Sequence, residues 1–167
     1  MIDIITASEN EIPVVENILL DTVRWLESIG QPLWNEQQVK WAQLSKEFAI
    51  SDFRIALLDG APAACLAVVD YDHAVWPEVD KGESFFIRKL AVKRFAAGKG
   101  LPEALFAHVK TMCSNRRINA IRLTCAKNRL KLRAVYERNG FTCVGEKIIF
   151  EKYPSAFYLC EVSETFR

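Results

Sequence analysis

No stretch of this chain approaches the roughly 18 consecutive apolar residues of a membrane-spanning helix, so no membrane partner is expected. The opening Met1-Ile2-Asp3-Ile4-Ile5-Thr6 has no basic lead and no small-residue cleavage site, so it is not a secretory signal and a cytoplasmic location is expected. There is no C-x-x-C pair. The five cysteines (Cys65, Cys113, Cys125, Cys143 and Cys160) are odd in number and lie mostly in apolar stretches. That pattern argues against a zinc site or a disulfide framework and for reduced thiols acting as small hydrophobes. No metal is expected. No internal repeat, low-complexity tract or Pro/Gly-rich linker interrupts the chain. Residues 1–167 therefore read as one domain, long enough to bury a core.

Net charge is almost absent overall, at +1, which argues against a nucleic-acid partner because phosphate contacts need a broad basic surface. The distribution is uneven, however. Residues 1–50 hold eight acids and three bases, whereas residues 110–138 hold nine bases and the single acid Glu137. A local excess of that size suggests an anionic partner for the second region.

The hydrophobic period then places the elements. Ile2 to Thr6 reads as a strand, and Ser8 with Glu11 as a capping box. Val14, Val15, Ile18, Leu19, Val23, Leu26 and Ile29 recur at helical spacing up to Gly30. A second helix is predicted from about Glu36 to Phe48. Phe53–Leu58 and Ala63–Val69 read as strands joined by an Asp59-Gly60 hairpin turn. Tyr71 to Gly82 is turn-rich and polar, a loop. Ser84–Val92 is an apolar strand, Lys93–Gly100 a loop, Pro102–Cys113 a helix and Asn119–Cys125 a strand. Asn128 is predicted to cap a helix reaching Arg138, ended by Asn139-Gly140. Phe141–Glu151 and Ala156–Val162 close the chain as strands. The order implies an α/β (α+β) fold: a mixed, mostly antiparallel central sheet, helices on both faces, and one strand–helix–strand crossover whose strands are parallel.

Two elements carry chemistry. The first is the strand–loop–helix Leu90-Ala-Val-Lys-Arg-Phe-Ala-Ala-Gly98-Lys-Gly100-Leu-Pro102. Glycines at a helix entrance let backbone N–H groups approach an anion, and the helix dipole favours negative charge there. The second is Asn128-Arg-Leu-Lys-Leu-Arg-Ala-Val-Tyr136-Glu-Arg-Asn-Gly140-Phe141. Asn128 and Tyr136 lie just over two helical turns apart and share a face.

Together, in this order and spacing, these segments resemble the acetyl-CoA core of the GNAT superfamily of N-acetyltransferases. The resemblance rests on Ile87-Arg-Lys-Leu-Ala-Val92, Gly98-Lys-Gly-Leu101 and Asn128 with Ala134-Val-Tyr-Glu-Arg-Asn-Gly-Phe141. It is strong over residues 84–145. It implies that the backbone of Leu90, Ala91 and Val92 holds the pantetheine arm as an added strand would. Backbone N–H groups around Gly98, Lys99, Gly100 and Leu101 would cradle the pyrophosphate. Asn128 would contact the cofactor amide chain, and the basic stretch from Lys127 to Arg133 would meet the remaining phosphate. Tyr136 would act as general acid toward the departing thiolate, a role its protonated phenol can fill at neutral pH.

The implied reaction moves an acetyl group from acetyl-CoA to a primary amine of a small molecule or peptide, directly, through a tetrahedral intermediate. The protein would be a monomer or homodimer. Two features differ from the family pattern. Ala97 and Pro102 occupy the outer positions of the phosphate loop, removing a polar side chain and a backbone donor, so that Arg94 or Lys99 would supply charge. Arg88 and Lys89 stand in the central strand, where many relatives carry a carboxylate. The base is therefore sought in the preceding loop, among Asp70, Asp72, His73, Glu78 and Glu83, with Glu83 or Asp70 acting through water. His108 reads as structural. Of the four tryptophans, Trp25 and Trp41 fit the core of amphipathic helices, and Trp34 and Trp76 are expected to line the acceptor cleft. The alternative is a catalytically silent acyl-CoA-binding module of the same fold.

Overall fold

The computed structural model describes residues 1–162. Its elements run β1 (Ile2–Thr6), α1 (Ile12–Ser28), α2 (Trp41–Leu44), β2 (Phe53–Leu58), β3 (Ala61–Val69), β4 (Phe85–Val92), α3 (Leu101–Arg116), β5 (Ala120–Ala126), α4 (Leu130–Arg138), β6 (Thr142–Ile149) and β7 (Tyr153–Glu161). They fall into two compact units. One comprises Met1–Val68 and Arg88–Leu105, the other Val69–Ile87 and the chain from Phe106 onward. Strand β4 contributes its second half to the first unit and its first half to the second.

In the first unit the strand order is β1-β2-β3-β4. β1 runs antiparallel to β2, from Ile2 opposite Leu58 to Thr6 opposite Arg54. β2 runs antiparallel to β3 through a tight turn in which Asp59 and Gly60 both have positive φ, as the dipeptide predicts. The capping box also forms, with the Ser8 N–H donating to Glu11 Oε1 at 2.8 Å. The apolar stripe of α1 is fully enclosed at Val15, Ile18, Leu19, Val23 and Leu26. The helix expected over 36–48 is instead a 3₁₀ turn at Gln37–Val39 followed by the single turn of α2. Lys40 between them is extended, and the N–H of Trp41 donates to the Glu16 carboxylate of α1 at 2.7 Å. Only Val39, Leu44 and Phe48 are buried across this stretch, too sparse a stripe to hold a continuous helix.

In the second unit the order is β4-β5-β7-β6. β4 and β5 are parallel, with Phe85 opposite Ile121, as the strand–helix–strand order requires. β5–β7 and β6–β7 are antiparallel, the latter with a register shift between Cys143 and Gly145. Phe106, Tyr136, Phe141 and Tyr158 pack ring against ring, and Trp76, Val79, Phe86 and Phe157 form a second apolar cluster. The pairings make a mixed, mostly antiparallel sheet architecture with one parallel pair.

Candidate active site

The first unit carries the glycine loop. A 3₁₀ turn at Arg94–Ala96 leads into Gly98 and Gly100, whose φ angles are +75° and +84°. L-residues rarely adopt that region, so the loop follows its path because glycine stands at both positions. A Cβ built on either would meet nothing within 4 Å, so the backbone there is open to approach. Gly100 immediately precedes α3, its carbonyl accepting from the Ala104 N–H at 3.1 Å. The N–H groups of the first helical turn lack intrahelical acceptors. These features fit a diphosphate group.

The donor set is narrower than the motif suggests. The Lys99 N–H donates to the Ala96 carbonyl at 3.2 Å, and Pro102 has no N–H. Charge at the loop also divides. The Arg94 guanidinium lies over the Trp25 ring at 3.9 Å, and the Arg94 N–H donates to Asp21. The Lys99 side chain is exposed.

The strand leading to this loop holds a feature with no signature in the sequence. Lys89, inside β4, has φ +57°. Its half-buried amine sits over the face of Trp34, 4.6 Å from the ring centroid. Burial lowers its pKa to about 8, neighbouring Arg88 adds to the effect, and Glu47 opposes it. Glu47 itself pairs with Arg88 at 3.4 Å. Trp34, expected beside the acceptor, is thus half-buried and engaged with a β4 cation.

The second unit carries Asn128, Arg133 and Tyr136. Arg129 and not Asn128 occupies the cap position of α4, and no side chain bonds that cap. Asn128 lies one residue earlier with its side chain exposed, and the Leu130 N–H donates to its backbone carbonyl at 3.0 Å. Tyr136 is buried, 4% exposed, and burial pushes its phenol pKa well above the usual value. It is therefore a proton donor throughout the physiological range.

Arg133 is turned inward. Its Nε donates to the Tyr158 hydroxyl at 2.8 Å, one terminal nitrogen donates to the Lys127 carbonyl at 2.8 Å, and the other pairs with Glu146 at 3.1 Å. Lys127 also pairs with Glu146, at 3.3 Å. The basic excess of residues 110–138 is thus partly neutralised within the unit.

The candidate bases differ in their surroundings. Asp70 is held by Lys81 at 2.7 Å and faces Arg116 at 3.9 Å. Glu83 is exposed in the turn before β4. Trp76, expected to line the acceptor cleft, is a core residue, 4% exposed, with its ring 5.0 Å from that of Phe157 and 6.2 Å from that of Phe86. Its apolar bulk outweighs its position in a polar loop. The five cysteines are free, and burial raises the thiol of Cys125 to about 11. Among the described residues, no group of three or more His, Cys, Asp and Glu is placed to hold a metal ion, and no helix is long and apolar enough to cross a membrane.

The family model described as the acetyltransferase (GNAT) family matches residues 19–141, more than half of the chain. The chain belongs to this acetyltransferase family. No curated protein sequence matches it. Solved structures share its fold. An acetyltransferase of the GNAT family from Listeria monocytogenes aligns with a TM-score of 0.71 at 19% identity, over 96% of this chain and 94% of that one. The ribosomal-protein-S18-alanine N-acetyltransferase of Escherichia coli aligns with a TM-score of 0.70 at 15% identity, over 98% and 95%. N-acetylglutamate synthase from Neisseria gonorrhoeae, complexed with coenzyme A and N-acetyl-glutamate, aligns with a TM-score of 0.67 at 19% identity, over 98% of this chain and 35% of that one.

Proposed function

We propose that this chain is a single-domain N-acetyltransferase, spanning residues 1–167, that moves the acetyl group of acetyl-CoA to a primary amine of a small molecule or peptide. The observation that carries this reading is the pair of positive-φ glycines, open to approach, at the entrance to α3. Support for an amine acceptor comes from the alanine N-acetyltransferase and the N-acetylglutamate synthase that share the fold.

Acetyl-CoA supplies an activated thioester, so the protein's work is positioning and charge stabilisation. The backbone of Leu90, Ala91 and Val92 binds the pantetheine arm. Gly98, Gly100 and Leu101 offer backbone donors to the pyrophosphate, and the exposed side chain of Lys99 adds positive charge. Asn128 presents its amide to the cofactor chain. Tyr136 donates a proton to the thiolate sulfur. Arg133 holds α4, and so Tyr136, through Tyr158. Glu83 removes the acceptor's proton through water, with Asp70 held by its two cations. Trp34 lines the acceptor side.

The test is thermal unfolding with increasing acetyl-CoA. A ligand at 100 times its Kd stabilises a fold by about 2.7 kcal/mol. A saturating rise in midpoint, followed by thiol release on adding amines, supports the reading. An unchanged midpoint at millimolar acetyl-CoA overturns it.

A further inference from the structure

Lys89 is not used by the reaction just described, yet three independent features single it out. First, its backbone is in the left-handed region, φ +57°, in the interior of a strand. A non-glycine residue there costs on the order of 1–3 kcal/mol, and such strain gathers at functional sites. Second, its amine is half-buried over the face of Trp34 and forms no ion pair with a carboxylate among the described residues, the nearby Glu47 being paired with Arg88. Third, it immediately precedes Leu90-Ala91-Val92, the backbone assigned above to the pantetheine arm.

We propose that Lys89 is itself an acetyl acceptor: its side-chain amine takes the acetyl group of acetyl-CoA, making the protein its own substrate at this position. The inference rests on the proposed binding of acetyl-CoA along β4. The chemistry balances with that one co-reactant. The neutral amine attacks the thioester carbonyl, a nitrogen–carbon bond forms, and the carbon–sulfur bond breaks. The proton shed by the nitrogen ends on the coenzyme A thiol, leaving an acetylated, uncharged Lys89.

Burial makes the reaction feasible at neutral pH. An amine that titrates near 8 has about 200-fold more neutral form at pH 7 than an ordinary lysine near 10.4. The charged groups facing it are Arg88, which favours the neutral form, and Glu47, which opposes it. Acetylation would also remove one of the two adjacent cations that β4 carries in place of a carboxylate.

The test uses the whole chain. Protein incubated with acetyl-CoA near pH 8 is digested, and acetyl-lysine is located by mass spectrometry. Lys89 should be acetylated at least about tenfold faster than the exposed Lys40 and Lys46, and excess desulfo-coenzyme A should suppress labelling at Lys89 but not at those two. In Lys89→Arg no other lysine should take its place. A small ester reagent, acetyl N-hydroxysuccinimide, should also label Lys89 first, without any coenzyme site. Uniform labelling by acetyl-CoA, or labelling at Lys89 that desulfo-coenzyme A does not suppress, overturns the proposal. So does selective labelling by the small ester with none by acetyl-CoA. Thermal stabilisation by desulfo-coenzyme A, read on the same samples, separates these failures from failure to bind the coenzyme at all.

Discussion

Arg133 donates through Nε to the hydroxyl of Tyr158 at 2.8 Å. That hydroxyl donates in turn to Glu137 Oε2, also at 2.8 Å. Arg133 and Glu137 lie three residues before and one residue after Tyr136, whose ring centroid is 5.7 Å from that of Tyr158. A single β7 phenol therefore ties down both sides of the residue proposed as the general acid. Removing only that oxygen, with Tyr158→Phe, leaves two charged groups each short of a partner. We expect a loss of about 1–3 kcal/mol in urea unfolding. Turnover should fall with little change in KM, because the variant disturbs a proton donor and not a binding contact.

Changing Tyr136→Phe removes the proposed proton donor while keeping the ring that packs on Phe106 and Phe141. Acetyl transfer to any responsive amine should fall about 10²–10⁴-fold, the usual span for a general acid. Stabilisation by acetyl-CoA should be unchanged. Turnover equal to that of the parent protein would remove Tyr136 from the mechanism.

At the glycine loop, Gly98→Ala and Gly100→Ala meet open space but a disfavoured backbone. Each should cost about 1–2 kcal/mol if the loop keeps its path. If it relaxes instead, the donors turn away and acetyl-CoA stabilises the variant less than the parent. Paired thermal scans, with and without acetyl-CoA, read both quantities.

What the chain revealed before folding was local. Ser8 with Glu11 and Asp59 with Gly60 act over three residues or fewer, and both form as their chemistry predicts. The long stripe of α1 and the glycine-flanked start of α3 are legible for the same reason: one face, one period. The misread segments depend on distant partners. The stretch at 36–48 takes an α1 carboxylate, Glu16, as an acceptor, which no window of sequence reveals. Trp76 sits among turn residues, and packing with the distant Phe86 and Phe157 helps make it a core residue. The left-handed backbone at Lys89 lies in a run of strand formers, Ile87-Arg-Lys-Leu-Ala-Val92, that reads as uninterrupted. The inward turn of Arg133 needs Tyr158 and Glu146, both beyond the helix that carries it.

Trp76 also gives a packing prediction. Its ring is buried between Phe86 and Phe157, and Arg122 lies over it at 5.5 Å. Trp76→Ala should destabilise by about 3–5 kcal/mol. Trp76→Phe should recover much of that loss and leave acceptor KM unchanged. A raised acceptor KM in a stable Trp76→Phe would return the residue to the acceptor cleft.

The half-buried amine of Lys89 makes stability depend on pH in a definite direction. Its folded pKa, about 8, lies below the ordinary lysine value near 10.4. Below pH 8 both folded and unfolded chains carry the charge, and the full cost of burying it is present. Between about 8 and 10.4 the unfolded chain binds more protons, so stability rises with pH, and the cost is gone once both states are neutral. The amino terminus acts oppositely in an overlapping range, because its hydrogen bond to Asp59 raises its pKa and that stabilisation fades as pH climbs. The measurement is therefore a difference between the parent protein and Lys89→Met, in which the amino-terminal contribution cancels. Urea unfolding from pH 7 to 10.5 should find the variant the more stable at pH 7, with the gap closing as pH rises. A gap that stays constant across the range would mean that the Lys89 amine is as well solvated in the folded protein as in the unfolded chain.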